Sequence, residues 1–239
     1  MPKLELGPIG ILPPSAAAMG IFQPIQGSGY DLVEGEHVLS AKAIEICATK
    51  LLTQRNPTLH PGPMIVWGWT EDTKHKAQLA LDLAAAVPGM NIITMPDYRP
   101  IYPKIDPERV INPCHPNLTI MHNKIECAVF IGLHCHFANI TLKMIRANTN
   151  CYTVALCAYD GHEHALLSIR DIDSSKLESL IAEVKRQLAE GLTPWAKTTE
   201  GAEELEEIKR VKAEAKIPSK EDTSIFMHEL ESGLDENAE

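Results

Sequence analysis

Several features that would identify a protein class are missing from this sequence. No apolar run approaches the roughly 20 residues needed to cross a bilayer, so we expect no membrane span. Residues 1–12 contain one lysine and no long apolar core, a composition unlike that of a secretory signal. Six cysteines among 239 residues are too few for the disulfide framework of a secreted mini-protein. We therefore expect a cytoplasmic protein.

A basic surface for nucleic acid is also missing. The formal net charge is −10, and residues 200–239 carry −8 of it, with 13 acidic and 5 basic side chains. The other 199 residues carry only −2 and contain no basic stripe. Nucleic acid is therefore not an expected partner, and the acidic C-terminal segment differs in character from the rest of the chain.

The common catalytic and cofactor motifs are absent as well. The sequence has no G-x-G-x-x-G after a strand, no Walker lysine loop, no G-x-S-x-G and no H-E-x-x-H. It has no C-x-x-C, which excludes the ferredoxin-type spacing of an iron–sulfur cluster. No enzyme class is indicated by a motif.

What the sequence does contain is the pattern of a buried parallel sheet. Two long apolar runs, Ala128–Leu133 and Cys151–Cys157, are separated by a helical pattern over Ala138–Arg146. Continuous apolar strands joined by a helix are typical of parallel sheets that are covered on both faces.

The remaining predicted elements also alternate between helix and strand. The predicted helices are 41–53 capped by Ser40, Thr73–Val87 capped by Thr70 or Asp72, and Lys176–Leu188 capped by Asp173 or Ser174. A predicted strand over Met64–Trp69, after Pro57, Pro61 and Pro63, lies between the first two helices. A strand over Asn91–Met95 and a loop over 96–117 follow the second helix. This alternation predicts an α/β fold, a three-layer sandwich on a mostly parallel sheet.

Composition divides the chain into three parts. We predict an extended N-terminal arm over 1–29, an α/β domain over 30–192, and an acidic C-terminal tail over 193–239 that is helical at 201–216. The tail contains an apolar island formed by Ile225, Phe226, Met227 and Leu230. The island is either a docking segment that orders on a partner or part of a disordered, solubilising tail.

Histidines gather where the two buried strands end. His134 and His136 follow the first strand, and His162 and His164 follow the second. Ligands bind outside the carboxyl ends of parallel strands, so the four imidazoles are expected at one sheet edge, where they would bind zinc or iron. The alternative is that they hydrogen-bond backbone at the strand ends or line a subunit interface.

Other residues of chemical interest have simpler interpretations. Cys127, Cys151 and Cys157 lie in apolar runs and are interpreted as small core residues. Trp67 and Trp69 lie on one face of a predicted strand, where they would pack against a helix or stack a flavin. Core packing is the commoner role for such a pair.

Two blocks of sequence resemble the epsilon subunit family of carbon monoxide dehydrogenase/acetyl-CoA synthase. The first is Pro63–Gly68, which follows a helix and a proline turn. The second is Cys127–His134, followed by Ala138-Asn139, a short helix and a strand that ends near Tyr159. With the polar stretch His162–Ile172 and the closing helix, the resemblance covers roughly residues 38–190.

This resemblance implies a Rossmann-like fold, as in the central domain of thiamine-diphosphate enzymes. It also implies a non-catalytic accessory subunit with a structural or assembly role in a ferredoxin-linked oxidoreductase of carbon fixation or 2-oxoacid metabolism. Relatives also occur as the epsilon chain of pyruvate or 2-oxoglutarate:ferredoxin oxidoreductases, and the arm and tail favour that setting. The implied partners are the other subunits of such a complex.

Two alternatives are open. One is a flavin- or nucleotide-binding redox module with FAD as the candidate cofactor, because flavin binding has been suggested for the family. Its site would be formed by Gly68, Thr70, Gly132, His134 and Asn139. The missing glycine-rich turn argues against dinucleotide binding. The other alternative is a metalloenzyme that uses the histidine and cysteine side chains at the sheet edge.

Overall fold

Seven strands form one mixed sheet in the parts of the chain that the computed structural model describes, which are residues 27–66, 70–94, 116–159 and 161–214. The strands are β1 (Tyr30–Val33), β2 (Glu36–Leu39), β3 (Thr58–Pro61), β4 (Asn91–Ile92), β5 (Cys127–Ile131), β6 (Tyr152–Leu156) and β7 (Leu167–Ile169). The α-helices are α1 (Ser40–Thr53), α2 (Pro63–Val66), α3 (Glu71–Ala86), α4 (Pro116–His122), α5 (Cys135–Asn148), α6 (Ser174–Ala189) and α7 (Thr199–Glu214).

The sheet is of the doubly wound type. Its order is β2-β1-β7-β6-β5-β3-β4, and β3 to β7 are parallel. Counted from the β4 edge, the parallel strands follow the chain order 2-1-3-4-5, which is the flavodoxin-like arrangement. The β1–β2 hairpin adds an antiparallel edge by pairing β1 with β7, with Leu32 opposite Ser168. The predicted α/β, Rossmann-like fold is confirmed.

Alternate residues of β5 face two separate apolar cores. Cys127, Val129 and Ile131 pack in a core shared with α1, α3 and α6. Ala128 and Phe130 pack in a second core with α4 and α5. Because both faces of the strand are covered, every residue in it is buried, and the strand appears in the sequence as a continuous apolar run.

The strand predicted over Met64–Trp69 is wrong for the residues that the structure describes. Pro63–Val66 is the short helix α2, and Trp67 to Trp69 lie outside the described residues. The strand is instead β3, which ends at Pro61. A proline at the end of a strand is tolerated where no ladder N–H is needed, and Pro63 suits the first turn of a helix.

The other predicted elements match more closely, with some omissions. The predicted helices near 41–53, 73–87, 138–146 and 176–188 are confirmed as α1, α3, α5 and α6, and the helical part of the tail as α7. The hairpin, β7 and α4 are not predicted, because they are short and lack a clear period. The arm before residue 27, most of the long loop and the apolar island lie outside the described residues.

The helix starts show which predicted caps make hydrogen bonds. Thr70 caps α3: its Oγ1 accepts from the Thr73 N–H at 3.2 Å, and the Thr73 Oγ1 accepts from the Thr70 N–H at 2.9 Å. Asp173 caps α6 by accepting from the Lys176 N–H at 2.8 Å. The prediction for Ser40 is wrong, because Ser40 is already the first residue of α1.

Thr70→Ala is therefore expected to destabilise the fold by about 1 kcal/mol, because it leaves a helix-terminal N–H without its acceptor. Ser40→Ala is the control, since the Ser40 hydroxyl caps nothing and its buried oxygen has no hydrogen bond to a described residue. Urea unfolding of both variants measures the difference. Equal losses in the two variants would contradict the capping assignment.

The chain divides into two units, 1–201 and 202–239. The first contains the sheet and both cores, and the second begins within α7. The boundaries predicted at residues 29 and 192 stay predictions. Along the described ranges, no helix has both the length and the apolar character required to cross a membrane.

Candidate functional site

A mostly apolar cavity of about 160 Å³ lies over the carboxyl ends of β5 and β6. The segments 130–135 and 155–159 form its floor, and Met64 and Ile65 from α2 form part of its wall. Its polar and sulfur-bearing lining side chains include His134, Cys135 and His162. Cofactor pockets commonly measure about 300–1,000 Å³, so this cavity suits an ion or a small ligand better than a dinucleotide.

Backbone contacts close the neighbouring crevice between β3 and β5, where sheets of this order usually bind ligands. The Gly62 N–H donates to the Ile131 carbonyl at 2.8 Å, and the Met64 N–H donates to the Gly132 carbonyl at 3.1 Å. A Cβ atom on Gly62 would collide with the Gly132 carbonyl oxygen. The two strand ends are therefore held together, and the cavity lies beside them.

Two cysteines and one histidine meet at the cavity. The ligand atoms of Cys135, Cys157 and His162 all lie within 4.8 Å of one another. Cys135 is the first residue of α5, Cys157 directly follows β6, and His162 lies in the loop between β6 and β7. Cys135 is exposed, whereas Cys157 and His162 are buried.

His162 is held in one orientation and in its neutral form. Its Nδ1–H donates to the Asn139 Oδ1 at 2.8 Å, so Nε2 carries the free lone pair. Burial lowers the pKa of His162 to about 4, and His164 acts in the same direction. Its own backbone N–H donates to the Ser168 Oγ at 2.9 Å, which fixes the loop to β7.

Cys157 combines burial with hydrogen bonds to its sulfur. Burial raises the pKa of the Cys157 thiol, while the backbone N–H groups of Tyr159 and Gly161 act in the opposite direction. The Tyr159 N–H lies 3.4 Å from the sulfur. Gly161 has a φ of +83°, and a side chain there would meet the Ser168 Oγ at 2.7 Å, so the loop requires glycine.

Four of the five residues predicted to bind a cofactor lie in the described parts of the chain. Gly132 and His134 line the cavity. Thr70 caps α3, and Asn139 is engaged with His162. Gly68 lies outside the described residues.

The four histidines predicted to bind metal lie at the same edge of the sheet but in different environments. His134 lines the cavity, and His162 belongs to the cysteine–histidine cluster. His136 is exposed on the first turn of α5. His164 is half-buried, with its Nε2 3.5 Å from the Glu163 carboxylate, and burial lowers its pKa.

Sequence reasoning misses two features of this region. It interprets Cys157 as a small core residue, and this side chain is buried, but it does not use the position of Cys157 at the end of a parallel strand, which is the same signal that singles out the histidines. It also passes over His60, which is 2% exposed, stacks on Phe130 at 4.9 Å and makes a 3.0 Å hydrogen bond from Nδ1 to the Ile93 carbonyl. Burial lowers the pKa of His60 to about 4.

A protein-family profile described as CO dehydrogenase beta subunit/acetyl-CoA synthase epsilon subunit matches residues 22–185. The chain belongs to this family. The match confirms the resemblance inferred from the sequence and spans the sheet, both cores and the cavity. Membership of the CO dehydrogenase beta/acetyl-CoA synthase epsilon family indicates a subunit of a carbon monoxide dehydrogenase/acetyl-CoA synthase complex. A search among curated proteins found no match.

Proposed function

We propose that this chain is a non-catalytic accessory subunit of a ferredoxin-linked oxidoreductase complex, with a structural or assembly role. Carbon monoxide dehydrogenase/acetyl-CoA synthase is the first candidate for the parent complex, because the family match covers most of the chain. A 2-oxoacid:ferredoxin oxidoreductase is the second, on the basis of the proline-rich arm and the acidic tail.

The family match is the observation that carries the proposal, and the surroundings of Cys157 and His162 support its non-catalytic part. A nucleophilic cysteine needs a lowered thiol pKa, commonly through a neighbouring protonated histidine. Here the pKa of Cys157 is raised by burial and that of His162 is lowered to about 4. In the metal-free chain at neutral pH the pair is therefore a neutral thiol and a neutral imidazole, which is the reverse of an activated nucleophile.

The thiols of the core are equally unreactive. Burial raises the pKa of Cys47 and of Cys151 to about 12, and raises that of Cys127 well above its ordinary value. These thiols stay protonated at any physiological pH. They therefore act as small apolar side chains, which agrees with a structural role.

Assays of the isolated chain test the non-catalytic assignment. The purified full-length protein, supplied with an artificial electron acceptor, is expected to oxidise neither carbon monoxide nor pyruvate or 2-oxoglutarate. An affinity-tagged chain purified gently from its native cells is expected to bring the catalytic subunits with it, and mass spectrometry of those subunits identifies the parent complex. Turnover by the chain alone would refute the assignment.

The apolar island of the tail, which lies outside the described residues, is expected to contribute to retention in the complex. Replacing Ile225, Phe226 and Met227 together by serine is expected to weaken retention at least about tenfold, because burying one such side chain contributes about 1.5–3 kcal/mol. The matched control, Glu229→Gln with Glu231→Gln, changes charge but not apolar surface. Co-purification yields and competition with untagged wild type measure the effect. Normal retention of the serine variant would exclude docking through the island.

A further inference from the structure

We propose that Cys135, Cys157 and His162 form a zinc site with two thiolate ligands, one imidazole ligand and an open fourth position. Their ligand atoms lie within 4.8 Å of one another, and all three residues line the same cavity. The open position therefore faces the cavity, where water or a small ligand fits. The site does not depend on the accessory role proposed above.

The donor atoms favour zinc. Thiolate sulfur and neutral imidazole nitrogen are the ligands that zinc most often takes in proteins, and two cysteines with one histidine plus an open position is an established zinc arrangement. The hard cations calcium and magnesium require oxygen ligands, which this cluster lacks. Two thiolates also balance the charge of a divalent ion inside a mostly apolar cavity.

Each ligand has the support that metal ligands usually have in proteins. The Asn139 oxygen accepts the Nδ1 proton of His162, which leaves Nε2 as the coordinating atom. Backbone N–H groups of Tyr159 and Gly161 point at the Cys157 sulfur and stabilise its negative charge. Cys135 begins α5, where the helix dipole favours the negative charge of the cluster.

The distances require only a small adjustment. Zinc–sulfur bonds of about 2.3 Å and zinc–nitrogen bonds of about 2.0 Å in a tetrahedron place the ligand atoms about 3.5–3.8 Å apart. Cysteine and histidine atoms up to 4.8 Å apart reach this separation by moving about 1 Å or less. The exposed side chain of Cys135 has the freedom to make that movement.

The test uses the full-length chain, purified under reducing conditions, stripped with a chelator and dialysed against Zn²⁺. Wild type is expected to retain one equivalent of zinc by elemental analysis. Co²⁺ in place of Zn²⁺ is expected to give the sulfur-to-metal charge-transfer absorption of a thiolate site. Removing a residue that only hydrogen-bonds to a metal ligand lowers metal affinity about 10–100-fold, so Asn139→Ala is expected to lower zinc affinity about tenfold. Cys135→Ser and His162→Gln remove ligands themselves, so each is expected to lower zinc affinity by at least as much.

Matched controls separate this cluster from the other histidines at the same sheet edge. His136→Gln and His164→Gln are expected to bind zinc as wild type does. Cys135→Ser changes an exposed residue, so its metal-free form is expected to melt at the same temperature as metal-free wild type, which excludes misfolding as the cause of a lost site.

Four results would each overturn the proposal. The first three are zinc below about one-tenth of an equivalent in wild type, unchanged affinity in Cys135→Ser, and loss of zinc in the control variants. The fourth is a loss of two hydrogens by mass in the reduced preparation, with Cys135 and Cys157 joined in one peptide pair after digestion, which would show a disulfide in place of the metal.

Discussion

Replacing Gly132 by alanine is expected to lower the free energy of unfolding by about 2–5 kcal/mol. Gly132 has a φ of +69°, a conformation that costs a residue with a side chain about 1–2 kcal/mol. A Cβ atom there would also lie 2.6 Å from Cγ1 of Ile65, and overpacking of this kind costs about 1–3 kcal/mol. Urea unfolding at neutral pH measures the loss.

Gly191→Ala is the matched control for this substitution. Gly191 has a φ of +93°, but apart from its chain neighbours no described residue has an atom within 4 Å of the place that a Cβ atom would take there. Its replacement therefore carries the backbone cost alone, and the difference between the two variants isolates the contact with Ile65. If both variants lost the same stability, α2 would not be packed against the end of β5 as described.

Acidification is expected to destabilise the fold through His60. Burial lowers the pKa of His60 from 6.5 to about 4, so between these values the unfolded chain binds a proton that the folded chain excludes. The contribution of neutral His60 to stability is present in full above pH 6.5 and is lost as the pH falls toward 4. This difference between the pKa values of His60 in the folded and the unfolded chain lowers the free energy of unfolding by about 3 kcal/mol over the whole pH window. The buried Nε2 has no hydrogen bond to a described residue, so a proton placed there gains no acceptor.

The contribution of His60 is measured as a change of slope. The free energy of unfolding of His60→Gln, plotted against pH from 7.5 to about 4.5, is expected to fall less steeply than that of wild type. His136→Gln is measured alongside for comparison, because it makes the same replacement at an exposed histidine. Parallel curves for wild type and His60→Gln would mean that His60 is protonated equally in the folded and unfolded chain.

The sequence carries most of the information for the centre of the fold and less for its edges. β5 and β6 are covered on both faces, so their sequences are continuous apolar runs that predict buried strands directly. β3 escapes the same reasoning because its four residues include a histidine and a final proline. The pairings with β5 and β4 show that this segment is a strand.

The sequence predicts that four histidines lie at one edge of the sheet, but the members of the candidate site depend on three-dimensional contacts. His162 is recognisable because it follows a strand, and the structure places it beside Cys135 and Cys157. Nothing in the sequence distinguishes His162 from His164. The difference arises because Asn139, 23 residues earlier in the chain, lies within hydrogen-bond distance of the first ring and orients it.

The pairing of β1 with β7 has a consequence for how the protein acquires its structure. Val33 lies opposite Leu167, and the Arg170 N–H donates to the Asp31 carboxylate at 2.7 Å, so the first strand is completed by a segment more than 130 residues later. Closing so long a loop costs entropy before any contact offsets it, which slows folding. During synthesis, the N-terminal hairpin therefore emerges early and has no place in the sheet until β7 has left the ribosome.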